Sequence, residues 1–137
     1  MSGYTDWNAS IIEQFRANGG QVGDWGRDLV LVHHVGARTG TQRVTPLMSL
    51  RQDTDTWLVA ASKAGAPDNP AWFYNLIAHP DIIIETADDG TVPVHARVLT
   101  DAERDTAWAT FTSSNPGFKD YQDKTTRTIL LVQLSRR

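Results

Sequence analysis

The chain has 137 residues, 40% hydrophobic and 21% charged, with a formal net charge of -3 and no cysteine. Such a length buries roughly 65–70% of the unfolded surface, enough for one core without disulfides or a structural metal, so one domain over residues 1–137 is expected. The acidic balance excludes nucleic acid as a general partner, because phosphate binding needs a basic face, and the missing thiols exclude a disulfide framework, a thiolate zinc site and a cysteine nucleophile.

The opening residues show no basic segment followed by an apolar one, so no secretory signal is expected. No apolar run approaches the ~20 residues of a bilayer span, and a cytoplasmic location is expected. Trp7, Ile11, Ile12 and Phe15 recur at helical spacing with Asp6, Glu13 and Arg16 between them, which predicts an amphipathic helix within residues 1–20. Gly19-Gly20 stops it. Its apolar stripe suits packing on the body of the protein. The same stripe would also suit a flap over a hydrophobic substrate or a weak membrane-surface contact.

Residues 29–35 and 42–50 have strand composition and flank a turn at 36–40. Pro46 cannot donate to a ladder, so the second strand is expected at a sheet edge or a bulge. Asp53-Thr54-Asp55 turns the chain into a strand from Trp57 to Ala61. Asn69-Pro70 is expected to open a helix, with Asn69 as its cap, and Pro80 to end it after His79. Ile82 to Ile84 and Val92 to Leu99 flank Asp88-Asp89-Gly90, a hairpin signal. Thr100 and Glu103 have capping-box spacing before a helix that Asn115-Pro116-Gly117 breaks, and a last strand is expected over Thr128 to Leu134. About six strands on short turns, with helices inserted, predict an α+β barrel with peripheral helices rather than a doubly wound sheet.

Motifs for dinucleotide, nucleoside triphosphate, zinc-helix and nucleophile-elbow chemistry are absent. His33 and His34 are adjacent in a strand and point to opposite faces, so they cannot share a metal, and no metal site is expected. Between Leu29 and Gln52 there is no acidic residue, yet Arg38, Arg43 and Arg51 are present, and Lys63 follows in a small-residue loop, Ala60 to Gly65. Exposed amides, a hydroxyl at Ser62 and these cations would make an anion site in an acidic protein; solvated surface arginines are the alternative. Trp72, Phe73, Leu76 and Ile77 either line a flat pocket beside that site or fill the core.

Three stretches in order carry a resemblance. Gly36-Ala37-Arg38-Thr39-Gly40-Thr41-Gln42-Arg43-Val44-Thr45-Pro46-Leu47 is similar to G-x-[RK]-T-G-x-x-R-x-x-P-L. Ala60 to Leu76 resembles A-S-K-G-G-x-x-x-N-P-x-W-x-x-N-L. Tyr121-Gln122 with Thr125-Thr126-Arg127-Thr128-Ile129 resembles Y-Q-x-x-T-x-R-x-I-P. These are the motifs of the deazaflavin-dependent nitroreductase and quinone reductase family, whose cofactor is coenzyme F-420 and whose fold is a split β-barrel. The resemblance implies a reductase that passes a hydride from the reduced deazaflavin to a quinone, nitroaromatic or activated enone. An FMN- or FAD-dependent reductase on the same barrel, or a non-catalytic deazaflavin carrier, are the alternatives.

Position by position, the family pattern places Arg38, Thr39, Arg43 and Lys63 near the cofactor's phosphate and anionic tail. It places Val44, Thr45, Pro46, Leu47, Met48, Ala60, Ala61, Ser62, Ala71, Trp72, Phe73, Tyr74 and Asn75 along the ring and ribityl chain. Ser62 and Tyr121 are the implied stabilisers of charge on the acceptor, and Met48, Phe118, Tyr121 and Phe15 the implied acceptor pocket. Two positions that are tyrosine in well-known members read Met48 and Phe118, a third reads Asn115, and the closing I-P reads Ile129-Leu130. These changes remove hydroxyls from the acceptor side. A monomer or a homodimer is compatible with the sequence.

Overall fold

Six stretches rich in β-branched and apolar residues and one short polar one, 50–53, become strands, and their alternation decides which face each residue takes. In the computed structural model, which describes residues 3–23 and 26–137, they are β1 (Leu29–Val35), β2 (Gln42–Met48), β3 (Leu50–Asp53), β4 (Thr56–Ala60), β5 (Asp81–Thr86), β6 (Gly90–Val98) and β7 (Leu131–Arg136). All pairings are antiparallel, in the order β2-β1-β5-β6-β7-β4-β3. The sheet curls until Cα atoms of β2 and β4 come within 8 Å, although four strands lie between them in the sheet. The result is an α+β split barrel.

The expected strand over 42–50 is two strands. The chain changes partner there: Ser49 still bonds the Asp28 carbonyl in register with β1, through its amide and its hydroxyl (2.9 and 2.8 Å), whereas Leu50 pairs with Leu58 of β4 and so begins β3. Seven strands therefore stand where about six were expected. Pro46 does lie in an edge strand, since only β1 pairs with β2. The last strand begins at Leu131 rather than Thr128, because the preceding residues are held by side chains instead of a neighbouring strand.

Helix α1 (Gly3–Ala17) ends before Gly19 and Gly20, both at positive φ. Ile11 and Phe15 pack on Leu29 and Leu31 of the outer sheet face, with Val22 beside them. The packing reading of the stripe holds for these residues; the side chain of Trp7 lies outside the described residues. Helix α2 (Ala71–Ala78) plugs the inner face, where Trp72, Phe73 and Leu76 meet Val30, Val32, Val59, Ile84 and Val94. Asn69 does not cap it. Pro70 occupies the cap position without a side-chain bond, and the Asn69 amide oxygen accepts from Arg127 instead. Helix α3 (Asp101–Ser114) starts on the expected Thr100–Glu103 capping box, and α4 (Gly117–Asp123) follows, a short helix where only a break was expected. These two cover the outer face of β4 and β7 through Phe111, Phe118 and Tyr121. No helix among the described residues is long and apolar enough to cross a membrane.

Antiparallel order gathers one set of connections at one end of the barrel. The β1–β2 turn at 36–41, the segment 61–70 after β4, the start of α2, and the segment 124–130 before β7 all lie there.

Candidate functional site

The split is an unclosed seam between two strand edges. Ser49 donates to Asp28 and Gly36 donates to the Thr41 carbonyl (2.9 Å each), which fixes the ladder phase. Thr45 and Leu47 therefore turn their amides toward β1, while Val44 and Met48 turn theirs to the open edge. Pro46 shares that outward phase, which is why a residue with no N–H is tolerated there. Across the seam, β3 covers β4 only as far as Leu58. Ala61 donates to the Leu130 carbonyl (2.9 Å), so the Ala60 amide turns to the uncovered side.

At the seam's end stands the β1–β2 turn. Gly40 takes φ +70°, and a Cβ on Gly36 would come within 2.5 Å of the Thr39 hydroxyl, which accepts from the Thr41 amide. Arg38, Thr39 and Arg43 are exposed. Eight of the ten arginines make an ion pair or bond a carbonyl or amide oxygen; among the described residues only Arg38 and Arg43 do neither. In an acidic protein these two guanidiniums form an unneutralised pair of positive charges.

The second loop is built from neutral groups. Ser62 is buried, Lys63 takes φ +44°, and a 3-10 turn spans Lys63–Gly65. A non-glycine residue in the left-handed region costs on the order of 1 kcal/mol, and Arg127 supplies the restraint. Its guanidinium donates to the carbonyls of Ala61 (3.1 Å), Ser62 (3.0 Å) and Ala66 (2.9 Å), and to the Asn69 side chain (3.0 Å). Gln122 on α4 ties in by donating to the Arg127 carbonyl and accepting from the Ile129 amide, and Arg104 on α3 donates to Gln122. Gly65 sits against α4 so closely that a Cβ would come within 2.7 Å of the Tyr121 carbonyl oxygen. The Ser62 turn and Tyr121 are thus neighbours. Lys63 is paired with Asp68 at 3.0 Å, which holds the Asp68 carboxyl below the usual range.

The predicted ring-lining residues divide. Val44 packs outward on the cluster of Phe15, whereas Leu47 packs inward on the barrel core. Trp72 and Phe73 are core, Ala71 is exposed at the helix start, and Tyr74 is half exposed. Asn75 is buried and bonded to Ala37 and His34. On the predicted acceptor side, Phe118 stacks edge-on between Phe111 (4.9 Å) and Tyr121 (5.3 Å). Met48 is half-buried at the end of β2, two residues before Leu50, which packs on that same cluster. Phe15 belongs to the other outer cluster, under α1, and is not brought together with Phe118 and Tyr121. The two clearest clefts, of about 250 and 450 Å³, lie beside α2–β6 and α3–β3; of the predicted site residues they include only Phe73.

The model of the F420H(2)-dependent quinone reductase family matches residues 7–135. The chain belongs to this family. Its members are hydride-transferring oxidoreductases. It is 36% identical over 111 residues to an F420H(2)-dependent quinone reductase of Mycobacterium tuberculosis, covering 79% of this chain and 73% of the relative. A putative F420H(2)-dependent quinone reductase of the same organism is 32% identical over 79% of this chain and 89% of its own. Among solved structures, an F420-H2-dependent reductase superposes with TM-score 0.71 at 32% identity, covering 80% of this chain and 95% of that one. A pyridoxamine 5'-phosphate oxidase-like protein of Listeria innocua shares the fold alone, with TM-score 0.55 at 8% identity.

Family membership frames two residues that spacing did not single out. Arg127 falls inside the third motif but gives no sequence sign that it reaches back some sixty residues to hold the Ser62 loop. His34 precedes the first motif and reads as an ordinary strand residue until α2 is placed beside it.

Proposed function

We propose that the protein takes a hydride from reduced coenzyme F-420 and delivers it to a quinone, nitroaromatic or activated enone. The observation that carries this reading is the two arginines, Arg38 and Arg43, that have no protein partner among the described residues, at the end of the open edge of β2, which curls close to β4. The residues present fit such a cofactor. Arg38 and Arg43 would hold its anionic tail by charge-assisted bonds, with Thr39 and Lys63 beside them. The outward amides of Val44, Met48 and Ala60 give the edge donors for ring carbonyls, on a rigid strand rather than a loop.

When bound, the reduced deazaflavin supplies the hydride. The chain itself contributes orientation and charge stabilisation. Ser62, fixed by Arg127 through its carbonyl, keeps its hydroxyl free of any protein partner among the described residues and would donate to negative charge on the acceptor. The Tyr121 hydroxyl, likewise without a protein partner among the described residues, would be the second donor. Phe118 and Met48 supply apolar surface in place of hydroxyls, which favours flat quinones over bicyclic nitroimidazoles.

Fluorescence titration with F-420 and FMN, followed by oxidation of the reduced deazaflavin with a panel of quinones, nitroaromatics and enones, tests the reading. Tighter binding of F-420 and turnover of a quinone are expected. Preference for FMN would replace the cofactor, and binding without turnover of any acceptor would leave a carrier.

A further inference from the structure

Backbone amides can only donate, and that single fact orders a buried network. The Ala37 N–H donates to Asn75 Oδ1 at 2.9 Å. The Asn75 carboxamide therefore turns its Nδ2 toward His34 Nδ1, also at 2.9 Å, so Nδ1 accepts and carries no proton. The remaining ring proton sits on Nε2, which donates to Thr45 Oγ1 at 2.8 Å. No other assignment leaves every donor facing an acceptor. His34 and Asn75 are only 3% and 7% exposed, so a reversed amide would leave buried groups unsatisfied.

We infer that His34 is a positioning residue for the anion-binding turn: through Asn75 it clamps the amide of Ala37 and so sets where Arg38 stands. The inference rests on the functional reading above and names a residue that reading does not use. The chain of bonds joins β1, β2, α2 and the turn at 36–41, so the first and second motifs are registered by one imidazole. The histidine must stay neutral to do this. Burial, with Arg43 across the ladder and His33 beside it, pushes its pKa down to about 4. Arg43 from β2 and His33 from β1 are the charged or titratable groups that bear on it, and α2 presents only the neutral Asn75.

Two variants separate the clamp from mere packing. His34→Asn keeps an acceptor where Nδ1 stands, whereas His34→Leu keeps bulk and removes it. The Asn variant is expected to bind F-420 within about twofold of wild type. The Leu variant is expected to bind about tenfold more weakly, as one lost anchoring bond allows, with turnover at saturating cofactor unchanged. Two readouts need no cofactor. The ¹⁵N spectrum of wild-type His34 is expected to show the Nε2–H tautomer. The protection factor of the Ala37 amide, its exchange corrected for the intrinsic base-catalysed rate, is expected to fall in the Leu variant, and in wild type as pH falls toward 4, but to stay high in the Asn variant. An Nδ1–H tautomer, or Ala37 exchange indifferent to His34, would overturn the clamp even if neither variant folds well enough to titrate. Wild type that binds no deazaflavin would instead overturn the functional reading, and the tautomer and exchange would still decide the network.

Discussion

The two loops that meet at the barrel mouth are built on opposite plans. The β1–β2 turn at 36–41 is anchored by the Ala37 amide on Asn75, and among the described residues nothing pairs with Arg38 or Arg43. The loop after β4 is tied down carbonyl by carbonyl to Arg127, and its one cation is already paired with Asp68. Among the described residues the charge of the first loop is left free, while in the second the carbonyls of Ala61, Ser62 and Ala66 are all bonded by one guanidinium. A loop whose carbonyls are consumed internally keeps a buried hydroxyl such as Ser62 in place. A turn with idle guanidiniums carries an electrostatic cost that an anion would relieve.

The difference is broken most severely at Arg127. Arg127→Ala removes four hydrogen bonds from a charged donor and leaves the carbonyls of Ala61, Ser62 and Ala66 without it. Bonds to charged groups contribute about 1.5–3 kcal/mol each, but not additively, so a loss of about 3 kcal/mol in urea unfolding is expected. Arg127→Lys keeps the charge but not the fork and is expected to recover under half of that. If Arg127→Ala unfolds like wild type, the second loop is not held as described.

Much of this contrast was legible before any coordinates. Of the three arginines in the acid-free stretch from Leu29 to Gln52, Arg38 and Arg43 are free cations among the described residues while Arg51 is paired with Asp89, and Pro46 marked the open edge. The Thr100–Glu103 box was legible because it depends on local spacing. What stayed hidden was long-range. Asn69 has the spacing of a helix cap, but Arg127 competes for its amide oxygen and wins, since a charged donor outbids a backbone amide. Ser49 carries no sign that the chain will change partner there, from β1 to β4, and divide one strand into two. Phe15 packs with Ile11, Leu29 and Leu31, a neighbourhood that helical periodicity alone does not give, because it names an apolar face without saying what covers it.

The free cations sharpen the contrast from the other side. Arg38→Ala and Arg43→Ala are each expected to weaken F-420 binding about tenfold, the worth of one charge-assisted contact. Thermal stability should stay within about 0.5 kcal/mol, because neither guanidinium bonds the described protein. The affinity should fall with added salt, and less steeply in each variant. Equal affinity in wild type and the double variant, measured by fluorescence titration at low salt, would remove the first loop from the anion site.

The smallest expected effect concerns Lys63, the cation that belongs to the neutral loop. Its ammonium lies 3.0 Å from the Asp68 carboxylate, and both side chains are largely exposed, at 48% and 65%. Such a pair contributes little to folding, so Asp68→Asn should leave the unfolding midpoint where it is. The carboxylate nevertheless competes with any incoming anion for Lys63 and adds a negative charge beside the place where the tail would lie. Removing it is expected to tighten F-420 binding about two- to threefold at low salt, an advantage that fades at high salt as screening erases both the competition and the repulsion. A gain of affinity cannot come from a damaged fold, which makes this small effect a clean one to measure. Unchanged or weaker binding in Asp68→Asn would mean that Lys63 faces away from the anion, leaving Arg38 and Arg43 to hold the tail alone.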